Sequence, residues 1–411
     1  MIGRSVSLYV HIPFCISKCT YCDFFSVPCG AKRVSRFETP PLVPDEYIEA
    51  VLREAAYVAR TRNISAWKTV YVGGGTPSLL VPAQLHSLFF GLQKIANYQK
   101  SDEVTVEVNP CDVTAELLAA LEDCGVTRIS CGIQSLNETA LLHVQRRSKR
   151  DDALRALELL ATNWRGVFSC DMISGLPEET AASFAAGLET LVSFKPHHIS
   201  LYALTLEKGT PLANSIESGM LLYDFDGVDD MWISGRDFLL EHGYAQYEVS
   251  NFCMPGNECV HNSAYWNLDD YCGCGAGATG TFYDDGVRIA NTTDIASYIS
   301  FWQSGAHCGE VCTAEKAVIA TLDAEFPVHR ERIDKKTASF EFFMMGLRTL
   351  HGVCRKRYEA KFGTFPQKAE ALFHAWQKTG RAVIRKREGT YWYALTPSGL
   401  LFLNEFLAQL L

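Results

Sequence analysis

An α/β fold, built as a partial (βα)6 barrel and followed by a small helical, winged-helix-like module, is what this sequence predicts. Three observations predict it. Six apolar runs with strand character begin near Leu8, Thr69, Val104, Val126, Val167 and Ile199. Between them lie stretches of helical periodicity, roughly 45–60, 79–97, 112–124, 136–163 and 178–194. Glycines, amides and carboxylates then gather directly after the strand-like runs. Alternating strands and helices mark parallel βαβ units. Right-handed crossovers curl such a sheet toward a barrel, whose chemistry sits at the C-terminal ends of its strands.

The elements follow in order. Leu8–Ile12 runs into Pro13-Phe14-Cys15, and Val70–Val72 into Gly73-Gly74-Gly75-Thr76-Pro77. The third strand carries Glu107 and ends at Asn109-Pro110; the fourth ends near Gln134. The fifth carries Asp171 and ends at Gly175-Leu176-Pro177, and the sixth carries Tyr202. Residues 26–44, with Pro28, Pro40, Pro41, Pro44, Lys32, Arg33 and Arg36, exceed the usual connection length and read as a solvated insertion, or else as a flap over the site. The barrel then spans 1–210. A middle segment, 211–335, wraps it: a helix near 226–242 leads to Tyr244–Val249 and to a Gly-, Asn- and Cys-rich stretch at 251–283. Residues 336–411 form the C-terminal module, with helices at 339–350 and 366–379, a hairpin at 382–396 and a last helix at 397–410.

Composition narrows the class. With 411 residues, 47% hydrophobic and 21% charged, the chain is an ordinary folded protein of two or three domains. Its net charge of −9 gives no general attraction to nucleic acid. No apolar run is long enough to span a bilayer, and the N-terminus lacks a signal-peptide pattern, so a cytoplasmic setting is expected. Fifteen cysteines in such a chain point to reduced thiols and metal ligation. Cys111, Cys124, Cys131, Cys170, Cys308, Cys312 and Cys354 are scattered and read as small buried apolar residues.

The run Cys15-Ile16-Ser17-Lys18-Cys19-Thr20-Tyr21-Cys22 differs in kind. Its C-x3-C-x2-C spacing supplies three thiolates directly after a strand, where a barrel puts its site. Iron–sulfur clusters are held by thiolates, and three thiolates on a four-iron cubane leave one iron open to a ligand. Structural zinc usually takes four protein ligands.

These motifs resemble the radical S-adenosylmethionine (SAM) superfamily. Within it they are most similar to the branch of HemW-type heme chaperones and anaerobic coproporphyrinogen III dehydrogenase. The resemblance is carried by Leu8–Cys15, Gly73–Ser78, Glu107-Val108-Asn109-Pro110, Gly132-Ile133-Gln134-Ser135, Asp171–Pro177, His261-Asn262-Ser263-Ala264-Tyr265-Trp266 and Leu395–Leu400, nearly the whole chain. It implies a 4Fe-4S cluster on Cys15, Cys19 and Cys22, with SAM at the open iron. It places Tyr9, Tyr21, Gly74, Gly75, Thr76, Glu107, Gln134, Arg146 and Asp171 on SAM-contacting positions. Thr76, Gln134, Arg146 and Asp171 belong to a second SAM site of the dehydrogenase, which the chaperone branch does not require. The residues give independent reasons: glycines let backbone amides approach a ligand, and Glu107 alternates with Val104, Val106 and Val108 in a strand, so its carboxylate needs a partner.

Two features separate the branches. Phe24 stands where the dehydrogenase has a further cysteine, which favours the chaperone; Cys29 lies too far along to replace it. The H-N-x-x-Y-W run is the chaperone's, and the resemblance implies heme bound by His261, with Tyr265 and Trp266 against the macrocycle and Cys259 as an alternative thiolate. Against this, Thr279 and Ser148 stand where the family has histidines. Cys253, Cys259, Cys272 and Cys274 offer a second cysteine set. The expected function is heme binding and delivery to an accepting protein, with an electron donor for the cluster. The alternative is oxygen-independent oxidation of a porphyrinogen.

Overall fold

The computed structural model describes residues 3–30, 41–98, 103–304 and 328–411. The proline-rich loop's basic residues Lys32, Arg33 and Arg36, and both Cys308 and Cys312, lie outside the described residues.

Six strands fall where the apolar runs place them: β1 (Arg4–Ile12), β2 (Ile64–Gly74), β3 (Glu103–Val108), β4 (Arg128–Gln134), β5 (Val167–Ser174) and β6 (His198–Ala203). Each is parallel to the next. The connecting helices are α1 (Asp45–Thr61), α2 (Pro82–Ile95), α3 (Ala115–Asp123), α4 (Glu138–His143), α5 (Arg150–Asn163) and α6 (Ala181–Ser193). Their starts are set locally; Thr114, Asn137 and Thr180 each cap a helix by accepting from backbone amides one turn on. The single helix expected over 136–163 is two. Gln145 takes a positive φ of 53° between α4 and α5, and the break turns Arg146 and Arg147 into the site.

The strands alternate strictly. Val6, Leu8, Val10 and Ile12, Val70 and Val72, Val104 and Val106, Ile129 and Ile133, Phe168 and Met172, Ile199 and Leu201 are buried in one apolar core with the helices. Their neighbours, among them Tyr71, Glu107, Arg128, Ser130, Asp171, His198 and Ser200, face a shared cavity. The interior of this barrel is therefore polar and hollow, and the core that holds the fold lies outside it, between sheet and helices.

The middle residues extend the sheet instead of only wrapping it. α7 (Pro211–Glu217) and α8 (Phe225–Glu241) lead to β7 (Ala245–Gln246) and β8 (Asn251–Cys253), and β8 pairs antiparallel with β6. After α9 (Val260–Trp266), β9 (Tyr271–Cys274) pairs parallel with the far edge of β1. Antiparallel β10 (Thr279–Phe282), β11 (Val287–Asn291) and β12 (Val328–Arg332) follow, with α10 (Ile295–Gln303) between the last two. The twelve strands run β12-β11-β10-β9-β1-β2-β3-β4-β5-β6-β8-β7, an open order, so the barrel is partial.

The C-terminal residues build a second apolar cluster around Phe343, Phe365, Phe373, Tyr393 and Phe406. Here α11 (Lys335–Gly346), β13 (Val353–Cys354), α12 (Arg355–Phe362) and α13 (Gln367–Lys378) precede a hairpin, β14 (Ala382–Arg387) and β15 (Thr390–Leu395). Glu388 and Gly389 both have positive φ, as a two-residue hairpin turn requires. The helix expected over 397–410 breaks into α14 (Pro397–Leu400) and α15 (Leu403–Leu410). No helix among the described residues is long and apolar enough to cross a membrane.

Candidate functional site: a cysteine-lined cavity through the barrel

One cavity of about 420 Å³ collects most of the expected residues. Its upper end is the cysteine loop. Cys15, Cys19 and Cys22 all line it. The loop is tied down by backbone bonds from Thr20 N to Val144 O (3.1 Å) and from Leu212 N to Thr20 O (3.0 Å). The start of the long loop returns alongside: residues 27–28 pair with 14–15, and Cys29 N donates to Cys15 O at 2.7 Å. Thr76 Oγ1 donates to Cys15 Sγ at 3.3 Å, and Arg146 Nη1 to Cys19 Sγ at 3.7 Å. A hydroxyl and a guanidinium aimed at sulfur suit thiolates. Burial raises the Cys22 thiol's pKa.

Among the described residues no three His, Cys, Asp or Glu side chains converge as the ligands of one ion do. A cubane asks for something different: each thiolate holds its own iron at a separate corner. Three thiols bordering one space fit that requirement.

Beside the cysteines, Gly74 adopts φ 112°, and a Cβ there would lie 2.5 Å from the His11 ring. Its amide donates to Glu107 Oε2 at 3.0 Å, while Tyr71 Oη donates to Oε1 at 2.9 Å. Even so, burial and the neighbouring Asp171 raise the Glu107 carboxyl to about 7. A carboxyl this poorly compensated favours a cationic ligand, which an amino or sulfonium group would be. Asp171, held by Ser130 Oγ at 3.2 Å, is raised by burial too. Arg146 Nη2 donates to Gly132 O at 2.6 Å, and its Nε is buried without a partner. A Cβ on Gly132 would sit 2.8 Å from both Arg146 Nη2 and Gln134 Nε2, so the glycine makes room for both side chains.

Tyr21, Gly74, Gly75, Thr76, Glu107, Gln134, Arg146 and Asp171 thus share the cavity with the three cysteines. Tyr9 does not line it. Its hydroxyl is 2.9 Å from His11 Nδ1, so it supports the Gly74 turn from behind. Residues that the sequence reading missed are Tyr71, Arg128, His198 and Ser200, all lining the cavity. Their signal is the period-two polarity of Thr69-x-Tyr71, Arg128-x-Ser130 and His198-x-Ser200.

The H-N-x-x-Y-W run closes the opposite end. It forms α9, whose first amides, Val260 N and His261 N, donate to Glu103 at 2.9 and 2.7 Å, and Cys259 and Asn262 face the cavity. His261 does not. It is 1% exposed, with Nδ1 2.7 Å from Thr69 Oγ1 and Nε2 2.7 Å from Tyr265 Oη. Burial lowers its pKa to about 3, so the imidazole is neutral. In this conformation neither nitrogen is open to a metal. Tyr265 is held edge-on between His261 and Tyr271, and Trp266 lies beneath Arg348. Thr279 stands in β10 and Ser148 is buried in the break after α4, neither in the cavity. The four cysteines of 251–283 are not assembled: Cys253 is on β8 and Cys259 caps α9, while Cys272 and Cys274 pair at 3.6 Å on β9, across the sheet.

A polar half-barrel with three thiols at its strand ends is the architecture of radical SAM proteins, and the family model of that superfamily matches residues 9–191. Fold comparison agrees: coproporphyrinogen III oxidase (HemN) from Escherichia coli superposes with a TM-score of 0.77 over 100% of this chain and 90% of its own, at 19% identity, a likeness of fold alone. Sequence resolves the branch. The heme chaperone HemW of Escherichia coli is 32% identical over 411 residues, covering 98% of this chain and 97% of that one. HemW of Lactococcus lactis is 32% identical over 363 residues, 88% and 86% of the two chains. The chain belongs to the HemW heme chaperone family.

Proposed function

We propose that this protein binds heme and hands it to an acceptor protein, using a 4Fe-4S cluster and SAM held in the barrel cavity. The observation that carries the reading is 32% identity with a heme chaperone over almost the full length of both chains. Cys15, Cys19 and Cys22 would hold the cluster, and Gly74, Gly75, Thr76, Glu107, Gln134, Arg146 and Asp171 border the space left for SAM. A cluster held by these cysteines would supply one-electron reduction of the SAM sulfonium, the electron coming from a separate donor protein. The chain's own residues set the conditions: Arg146 and Thr76 stabilise thiolate charge, Glu107 and Asp171 offer negative charge to a cation, and α9 seals the far end against water. Phe24, 67% exposed at the cavity mouth, offers an apolar surface rather than a further thiolate. Heme ligation by His261 requires the Thr69 or the Tyr265 side chain to give way, because between them they occupy both ring nitrogens.

The test uses protein purified without oxygen and reconstituted with iron and sulfide. Titration with heme should give a saturable Soret shift, and mixing with an apo-acceptor hemoprotein should move the heme. Incubation with coproporphyrinogen III, SAM and a reductant should yield no decarboxylated product; protoporphyrinogen would overturn the reading.

A further inference from the structure

The two ends of the cavity are joined by an unbroken line of contacts through its wall. At the lower end the His261 ring lies on Tyr71, centroids 5.0 Å apart and planes within 30°. Tyr71 Oη donates to Glu107 Oε1 at 2.9 Å. The other oxygen, Oε2, accepts from Gly74 N at 3.0 Å. Gly74 begins the turn that carries Gly75 and Thr76, and Thr76 Oγ1 reaches Cys15 Sγ. His261 is itself fixed from both sides, by Thr69 and Tyr265, and its amide is anchored on Glu103. Nothing in this chain is loose. A ring held at two nitrogens is a rigid shelf, and Tyr71 is a flat side chain resting on it.

Two chemical facts give the line a purpose. A carboxylate has two oxygens and can rotate about χ3; the Tyr71 hydrogen bond fixes that rotation and leaves the remaining lone pairs aimed into the cavity. The Tyr71 hydroxyl reaches Glu107 while its ring stays on the His261 stack, with Tyr9 6.0 Å away as its other aromatic neighbour. We infer that His261 is a positioning residue for the SAM pocket: by seating Tyr71 it orients Glu107 and the Gly74 turn, so that the H-N-x-x-Y-W helix and the SAM site are mechanically coupled. The inference rests on reading the glycine turn and Glu107 as the SAM pocket. It adds a consequence for the chaperone. Whatever draws His261 away from Tyr265 also withdraws the shelf beneath Tyr71, so occupation of one end of the barrel is felt at the other, and the coupling acts equally in both directions.

The experiment measures SAM affinity by equilibrium dialysis on cluster-reconstituted protein, with iron and sulfide content and melting temperature as controls. Tyr71→Phe removes one hydroxyl and should weaken SAM binding about tenfold, the scale of one hydrogen bond to a charged group. His261→Ala removes the shelf and should cost a similar factor. His261→Phe keeps a ring in the stack but loses both nitrogen bonds, so its SAM affinity should fall between those of wild type and His261→Ala. The double variant Tyr71→Phe/His261→Ala should be no weaker than either single variant, since both break the same line. Independent, multiplying losses would overturn the coupling, and so would a Tyr71→Phe protein with full cluster and wild-type SAM affinity, even if His261→Ala folds poorly. Wild-type protein that carries its cluster and binds no SAM would overturn the pocket assignment itself, and the inference with it.

Discussion

Glu54 allows a test of how the cysteine-bearing strand is buttressed. This α1 residue is 2% exposed, beneath the loop that follows β9. Its Oε1 accepts from Asn291 Nδ2 at 2.7 Å, and its Oε2 from Gly275 N at 2.8 Å and Tyr298 Oη at 2.5 Å. Despite these donors, burial raises its pKa from 4.5 to about 7. Between those values the folded state holds a proton that the unfolded state has released. The contribution to stability is therefore complete below about pH 4.5, declines as the pH rises, and is gone above about 7. The gap corresponds to roughly 3 kcal/mol, at 1.36 kcal/mol per pKa unit. The assay is urea unfolding of wild type and Glu54→Gln near pH 5 and pH 8. The amide does not titrate, and its donor–donor conflict with Asn291 Nδ2 is the same at both pH values. Glu107, Glu179 and Glu248, also raised to about 7, cancel in the difference between the two proteins. Wild type should lose about 2–3 kcal/mol relative to the variant between the two conditions. A difference that does not change with pH would refute the reasoning.

Three further outcomes are expected. Replacing Cys15, Cys19 or Cys22 singly by serine should abolish bound iron and sulfide after reconstitution, while Cys29→Ser should keep them, because Cys29 is absent from the cavity lining. Glu107→Gln should retain the cluster but weaken SAM binding about tenfold or more, as one charge-assisted contact is lost, measured by equilibrium dialysis. Gly132→Ala should displace Arg146 and Gln134 together, lowering stability by about 1–3 kcal/mol, the usual penalty of overpacking, read by thermal unfolding, with a parallel loss of SAM affinity.

The six strands and the cysteine loop were legible because each rests on local signals: an apolar run, a following turn, a fixed spacing of thiols. Other features depend on partners far along the chain. Tyr271-Cys272-Gly273-Cys274 has little strand character of its own and becomes β9 only because β1 offers it a parallel edge. α12, over Arg355–Phe362, buries only Tyr358, so it shows no apolar periodicity. The break between α4 and α5 turns on one positive-φ residue, Gln145, in an otherwise helical run. His261 is the clearest case. The resemblance implies a heme ligand there, and the residues alone also allow a structural histidine; in this conformation Thr69 and Tyr265 hold its ring in the barrel wall. The period-two polarity of β2, β4 and β6 was visible throughout and announces a hollow interior.

The placement of β1 bears on how the molecule is made. It precedes every other strand of the sheet along the chain, yet it sits in the middle of that sheet, flanked on one side by residues 64–74 and on the other by residues 271–274. One edge of the strand that leads into the thiols thus waits, uncovered, until residues 271–274 have been synthesised. An exposed edge invites wrong partners, and the nascent thiols beside it lack their enclosing walls. Iron and sulfide are therefore best installed after translation, into a chain whose late segment has already come home to its beginning.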